Sequence, residues 1–213
     1  MYPRLKWMPL LLLLASVWSC KREHPAVEPA TKSLQEIRGL VAEQNYRKLG
    51  FESLDEIARM TLGEPIPVYF VGLETLRKFN PDDDPNALLT DPHEMIYPVL
   101  VDGQARCSLG LKSSGGEWQV RTFGRPRISR ALAKMRDAQA ASGNLSQADY
   151  FAVEISSMYL VFIGHRAGGN LLLTYVHDDA DLGFETGQTA PASEVFAKIS
   201  KTASDYQGPL PPL

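Results

Sequence analysis

A chain of 213 residues, 44% hydrophobic and 22% charged, is long enough for one core-forming domain or two small ones, with the composition of a globular protein. Its formal net charge of −3 gives no support to nucleic-acid binding, which asks for a basic surface. No segment reaches the ~18 uninterrupted apolar residues of a membrane-spanning helix.

The chain starts with Arg4 and Lys6, continues with the apolar run Leu10 to Ala15, and reaches Val17-Trp18-Ser19-Cys20 just before the charged Lys21-Arg22-Glu23. Charged, apolar and small-residue regions in that order are a secretory signal peptide over residues 1–19. Its ending resembles the lipobox of bacterial lipoproteins: an aliphatic residue at −3, a small one at −1, then the cysteine that carries acyl chains such as palmitate. The resemblance covers this first stretch only. It implies cleavage before Cys20, lipidation of Cys20 and a mature chain held on the cell envelope. Lys21 stands where an aspartate would imply inner-membrane retention, so the resemblance implies the outer membrane, with the domain facing the periplasm. Loss of residues 1–19 removes two positive charges and no acid, leaving 194 residues with a formal charge of −5. With Cys20 lipidated, Cys107 is left alone, and an internal disulfide is excluded.

Residues 20–32 hold Pro25 and Pro29 among charged residues, which predicts a tether. A single α+β domain is expected over 33–213, with sub-halves 33–145 and 146–213. Two helices open it. Ser33 with Glu36, and Ser53 with Glu56, each place a serine at a helix start and a glutamate three residues on, the spacing of a capping box. Leu34, Ile37, Leu40 and Val41 would form one apolar face, and Gly50 and Gly63 would end the two helices. A buried strand follows over 67–71, a short helix over 73–79, and a surface loop over 80–92 with Asp82, Asp83 and Asp84.

The pattern then turns to strands. Residues 95–101 are apolar but contain Pro98, which predicts a sheet edge. Residues 104–112 and 117–123 flank Ser113-Ser114-Gly115-Gly116, a hairpin signal. A helix is predicted over 126–141, with Ile128, Leu132 and Met135 inward. The order recurs: a strand over 150–155, a hairpin of 158–165 and 170–177 around Arg166-Ala167-Gly168-Gly169, and a helix over 191–203 with Val195, Phe196 and Ile199 inward. The two Gly-Gly pairs lie 53 residues apart, so two strand-hairpin-helix pseudo-repeats are a candidate arrangement.

The candidate sites are sparse. His93-Glu94 lacks the second histidine four residues on that a helical zinc-hydrolase motif needs; that position is Tyr97. A four-residue turn at 166–169 would put His165 opposite Asn170 and His177 opposite Met158, roughly 23 Å apart at ~3.3 Å per residue, too far to share a metal. Both read as surface or strand-end histidines. Asp178, Asp179 and Asp181 are weak metal candidates, since Ala180 and the late Gly183 break the alternation of a calcium loop. Cys107 alternates with Ala105, Leu109 and Leu111, which predicts a buried, inert thiol. No cofactor motif, nucleophile elbow or phosphate loop occurs. The most usable feature is a basic run, Arg121, Arg125, Arg127, Arg130 and Lys134, continued by Arg136, with Arg106 expected on the neighbouring strand. On a helix, Arg127, Arg130 and Lys134 share one face, a surface suited to anionic headgroups or an acidic envelope partner.

The expectation is therefore a lipid-anchored, non-enzymatic binding module facing the periplasm, with no nucleic-acid partner. An envelope hydrolase with an unrecognised site, or an inhibitor or immunity-like protein, are the alternatives.

Overall fold

The computed structural model describes residues 24–143 and 145–205, so the signal segment and Cys20 lie outside the described residues. One sheet organises them into an α+β fold. Among the described residues nine strands are present: β1 (Thr61–Leu62), β2 (Ile66–Phe70), β3 (Glu94–Val101), β4 (Gln104–Ser114), β5 (Glu117–Gly124), β6 (Phe151–Ile155), β7 (Leu160–Ala167), β8 (Asn170–Tyr175) and β9 (Thr189–Pro191). Their order is β5-β4-β3-β2-β6-β7-β8-β9, with β1 beside β3; only β2 and β6 run parallel. Because β2 pairs with β6, the sheet crosses the boundary expected between 145 and 146.

Alternation along the strands sorts the core onto two faces. Met95, Tyr97, Val99, Cys107, Leu109 and Leu111 face α1 (Val27–Arg38). On the same face, further along the sheet, Phe151, Val153, Phe162 and Leu173 meet α2 (Leu73–Arg77) and α4 (Ala192–Asp205). The opposite face, with Ile66, Val68, Ile96, Ala152 and Ile163, is covered by α3 (Pro126–Ser142) through Leu132. The two halves do not match as units: α3 follows β5 directly, β9 intervenes between β8 and α4, and the two helices pack on opposite faces.

Both hairpins close through two residues rather than four. Ser114 pairs with Glu117 and Ala167 with Asn170. All four turn glycines have positive φ, the backbone a tight turn matched to strand twist requires. The second hairpin therefore slides by two residues from the expected register: His165 lies opposite Leu172, not Asn170.

Three expectations are corrected. The tether expected over 20–32 is already helix from Val27, with Ala26 and Ala30 fully buried. Pro29 falls in the first turn, where its missing N–H has no intrahelical partner to lose. Ser33 is consequently mid-helix, and the chain leaves the helix at Gly39, so Leu40 is 71% exposed. The second helix is instead a 3₁₀ turn over Leu54–Arg59 followed by β1. Pro98 sits in an interior strand. β1 and β2 flank the same side of β3 in succession, and Pro98 faces the gap between them. Its carbonyl accepts the Gly63 N–H at 2.8 Å, and its absent N–H would point to the same gap, so no ladder bond is lost.

Candidate functional site: a basic edge and an unpaired carboxylate

The basic run divides into parts with different work. Arg136 is 3% exposed, its Nη1 donating to the Glu64 carbonyl at 2.6 Å and its Nε to Asp137 at 3.3 Å. The buried face of α3 is therefore Ser129, Leu132, Ala133 and Arg136, rotated from the expected Ile128, Leu132 and Met135. Ser129 explains the rotation: its hydroxyl donates to Ser108 on β4 at 2.7 Å, drawing that face onto the sheet. Ile128 and Met135 then lean toward the sheet centre, among the partly buried residues around Val68 and Ile163.

Arg127, Arg130 and Lys134 are exposed on the other side of α3. Arg130 and Lys134 border the start of β4 with Gly103, Gln104, Ala105 and Asp137. Arg130 donates to the Pro126 carbonyl at 3.1 Å. Among the described residues, no acid lies within ion-pair distance of Arg121, Arg125, Arg127, Arg130 or Lys134.

Arg121 and Arg106 each occupy a bulge. Gly110 pairs with Thr122 and Leu111 with Val120, leaving Arg121 without a partner on edge strand β5. Val99 pairs with Cys107 and Leu100 with Ala105, leaving Arg106 likewise on β4. Their fates differ. Arg121 is exposed; a bulged charge on an edge also blocks sheet extension. Arg106 is neutralised by Glu56 at 2.6 Å and Glu52 at 2.8 Å, and it leaves the basic surface expected for it.

That ion pair brings in two cations that sequence reading missed. It fastens the segment 40–60 beside β4. Gly50 there approaches so closely that an added Cβ would lie 2.7 Å from the Pro126 Cβ, and Leu49 lies against Gly124. Arg47 and Lys48, both exposed, therefore stand next to the start of α3. Nothing local links residues 47–48 to residues 121–134; long-range contacts do, those of Arg106 with Glu52 and Glu56 and the close approach of Leu49 and Gly50 to Gly124 and Pro126.

Arg125 caps α3 in the left-handed region at φ 49°, a conformation that costs a side chain about 1 kcal/mol. Its charge acts on Glu154 of β6, which lies on the α3 face of the sheet between Phe70 and Val161. Burial pushes the Glu154 carboxyl above its ordinary value; Arg125 opposes this and Glu94 adds to it. Glu94 is itself paired with Lys112 at 3.1 Å. Glu154 makes no side-chain hydrogen bond among the described residues. Residues 125–128 and His177 line an open depression nearby.

The remaining candidates are structural. Asp178 accepts the Thr186 N–H at 2.7 Å and Asp179 accepts that of Leu182 at 2.9 Å, so both carboxylates cap their own loop. Asp178, Asp179 and Asp181 are not brought together as a ligand set; no group of three His, Cys, Asp or Glu side chains that could hold a metal occurs among the described residues. His165 is not at the surface: it is 8% exposed, its Nδ1 is unpartnered, and its ring lies 5.2 Å from that of Tyr150. His177 is exposed. Cys107 is fully buried, and burial pushes its thiol up to about 12. No helix among the described residues is long and apolar enough to cross a membrane.

No family model, curated protein or solved structure matches this chain.

Proposed function

We propose that this chain is a lipid-anchored protein of the cell envelope, a non-enzymatic module that binds an anionic partner through the exposed flank of α3, on the outer membrane and facing the periplasm. The lipobox-like Val17 to Cys20 supports the anchor. The observation that carries the binding role is the row Arg127, Arg130 and Lys134, exposed and without acidic partners among the described residues, on a protein whose formal charge is negative. A merely solvated face of an acidic protein has no need to gather cations on one flank. Exposed charges are screened beyond ~10 Å at 0.1 M salt, so binding to an acidic partner is salt-sensitive.

The test replaces Arg127, Arg130 and Lys134 by Gln and measures retention on an anionic surface such as heparin resin or anionic vesicles across a salt series. The triple variant loses retention and keeps its circular dichroism. Equal retention of variant and wild type at low salt contradicts the reading. The hydrolase alternative rests on one observation, the unpaired Glu154 beside Arg125. It requires that Glu154→Gln abolish a hydrolytic activity detected against envelope polymers.

A further inference from the structure

We propose that the depression at the start of α3 binds a small zwitterion with an apolar body, the chemistry of an apolar α-amino acid, with Arg125 taking its carboxylate and Glu154 its ammonium. The site uses neither Cys20 nor Arg130 and Lys134, so it goes beyond both the anchor and the binding role of the α3 flank.

The depression exists because one end of this sheet face is left half open. Val68, Ala152, Ile163 and Thr174 stand abreast on β2, β6, β7 and β8, and none is more than 1% exposed. Two residues further along the strands the row begins again with Phe70, Glu154 and Val161, and these are only partly buried. Ile128, in the first turn of α3, packs against the same apolar cluster as Phe70 and Val161. Val161 in turn shares a small cleft with His177. The depression spans that open end: Arg125, Pro126, Arg127 and Ile128 line one side and His177 the other, around about 480 Å³. That volume suits a small molecule, whose sites hold roughly 300–1,000 Å³. Glu154 adjoins the depression, since it stands between Phe70 and Val161 and feels the charge of Arg125.

Opposite charges meet there without pairing. Among the described residues no ion pair joins Arg125 to Glu154, and neither has another partner of opposite charge within ion-pair distance. Glu94, the other charge acting on Glu154, is already held by Lys112. An anion alone would meet Glu154 as well as Arg125, and a cation alone would meet Arg125 as well as Glu154. A ligand with both charges bridges the gap and matches each, through charge-assisted hydrogen bonds about twice as strong as neutral ones. Its ammonium offsets the burial that resists charge on the Glu154 carboxyl. Its apolar side chain lies against Pro126 and Ile128. Arg125 also keeps its long side chain at φ 49°, a left-handed conformation of the kind that collects where a side chain has work to do.

The experiment titrates the purified full chain with leucine and phenylalanine by isothermal calorimetry at pH 7.5. N-acetyl-leucine, which lacks the ammonium, and leucinamide, which lacks the carboxylate, are the comparison probes and need no variant. The expected result is binding of leucine or phenylalanine, with each singly charged analogue about tenfold weaker, the loss of one charge-assisted hydrogen bond. Glycine, with no apolar body, should also bind more weakly. Glu154→Gln should weaken leucine and leave N-acetyl-leucine as it was. Arg125→Asn, whose side chain tolerates the left-handed backbone, should weaken leucine and leave leucinamide as it was. Circular dichroism checks that both variants fold. N-acetyl-leucine binding as tightly as leucine overturns the proposal, because the ammonium is then not recognised. Absence of binding by both leucine and phenylalanine to the folded wild-type chain overturns the site itself and leaves the salt-sensitive retention through the α3 flank standing.

Discussion

Arg106 meets Glu56 with two donors on one carboxylate oxygen, Nη2 at 2.6 Å and Nε at 3.1 Å, where the side chains are 12% and 6% exposed. Burial alone would push the Glu56 carboxyl up. The Glu52 N–H at 2.8 Å and the Arg106 guanidinium outweigh it and hold Glu56 below the usual carboxylate range. The glutamate expected to complete a capping box thus reaches one residue further back, to Glu52, and ties segment 40–60 to β4.

Removing one partner of such a pair strands the other. Glu56→Ala should cost about 3 kcal/mol in urea unfolding. The wild-type contribution is complete above the unfolded glutamate value and is lost as pH falls through the folded one. The gap between wild type and variant should therefore narrow in acid. A gap unchanged from pH 7 to pH 3 would contradict this role.

Much of this fold was legible because its strands alternate and its hairpins turn on Gly-Gly. The inward face of α4, Val195, Phe196 and Ile199, and the burial of Cys107 could be read by period alone. Pro29 and Pro98 misled for a common reason. A proline excludes a hydrogen bond, and sequence does not show whether the position had one to make. The buried Arg136 and the alliance of Arg47 with α3 were beyond reach, since the first depends on a contact 72 residues away along the chain and the second on one 50 residues apart, Arg106 with Glu56. The α3 basic row was legible, whereas the unpaired Glu154 was not, because a lone glutamate in a strand has no pattern to mark it.

The two shifted histidines set an acid limit. Burial lowers the pKa of both His24 and His165. Above pH ~6.5 both are neutral whether folded or unfolded, and their contribution is complete. As pH falls below that value the unfolded chain takes protons the folded one resists, so stability declines. His165→Gln should flatten the dependence of the unfolding midpoint between pH 6.5 and 5. An unchanged slope in the variant would show that His165 does not titrate with folding.

Glu154 has the opposite sign. Its raised pKa means the folded state holds a proton that the unfolded carboxyl has already released, so the native state is penalised as pH rises past the ordinary glutamate value. Glu154→Gln should raise the thermal midpoint at pH 7.5 and leave it nearly unchanged at pH 3.5. A variant less stable at pH 7.5 would mean that Arg125 outweighs burial.

Cys107 should resist a thiol reagent in the native domain at pH 8 and react fast once unfolded, given its full burial and a pKa of about 12. Cys107→Ala should cost about 1–2 kcal/mol, the loss expected for a small buried side chain. Fast native labelling would show that β4 opens readily.

Metabolic labelling with a palmitate analogue, followed by envelope flotation, tests the central claim most directly. The wild-type chain is predicted to take the label and float with outer-membrane vesicles, while Cys20→Ser takes no label and moves to the soluble fraction. Label and flotation retained by Cys20→Ser would contradict the lipid anchor and everything built on it.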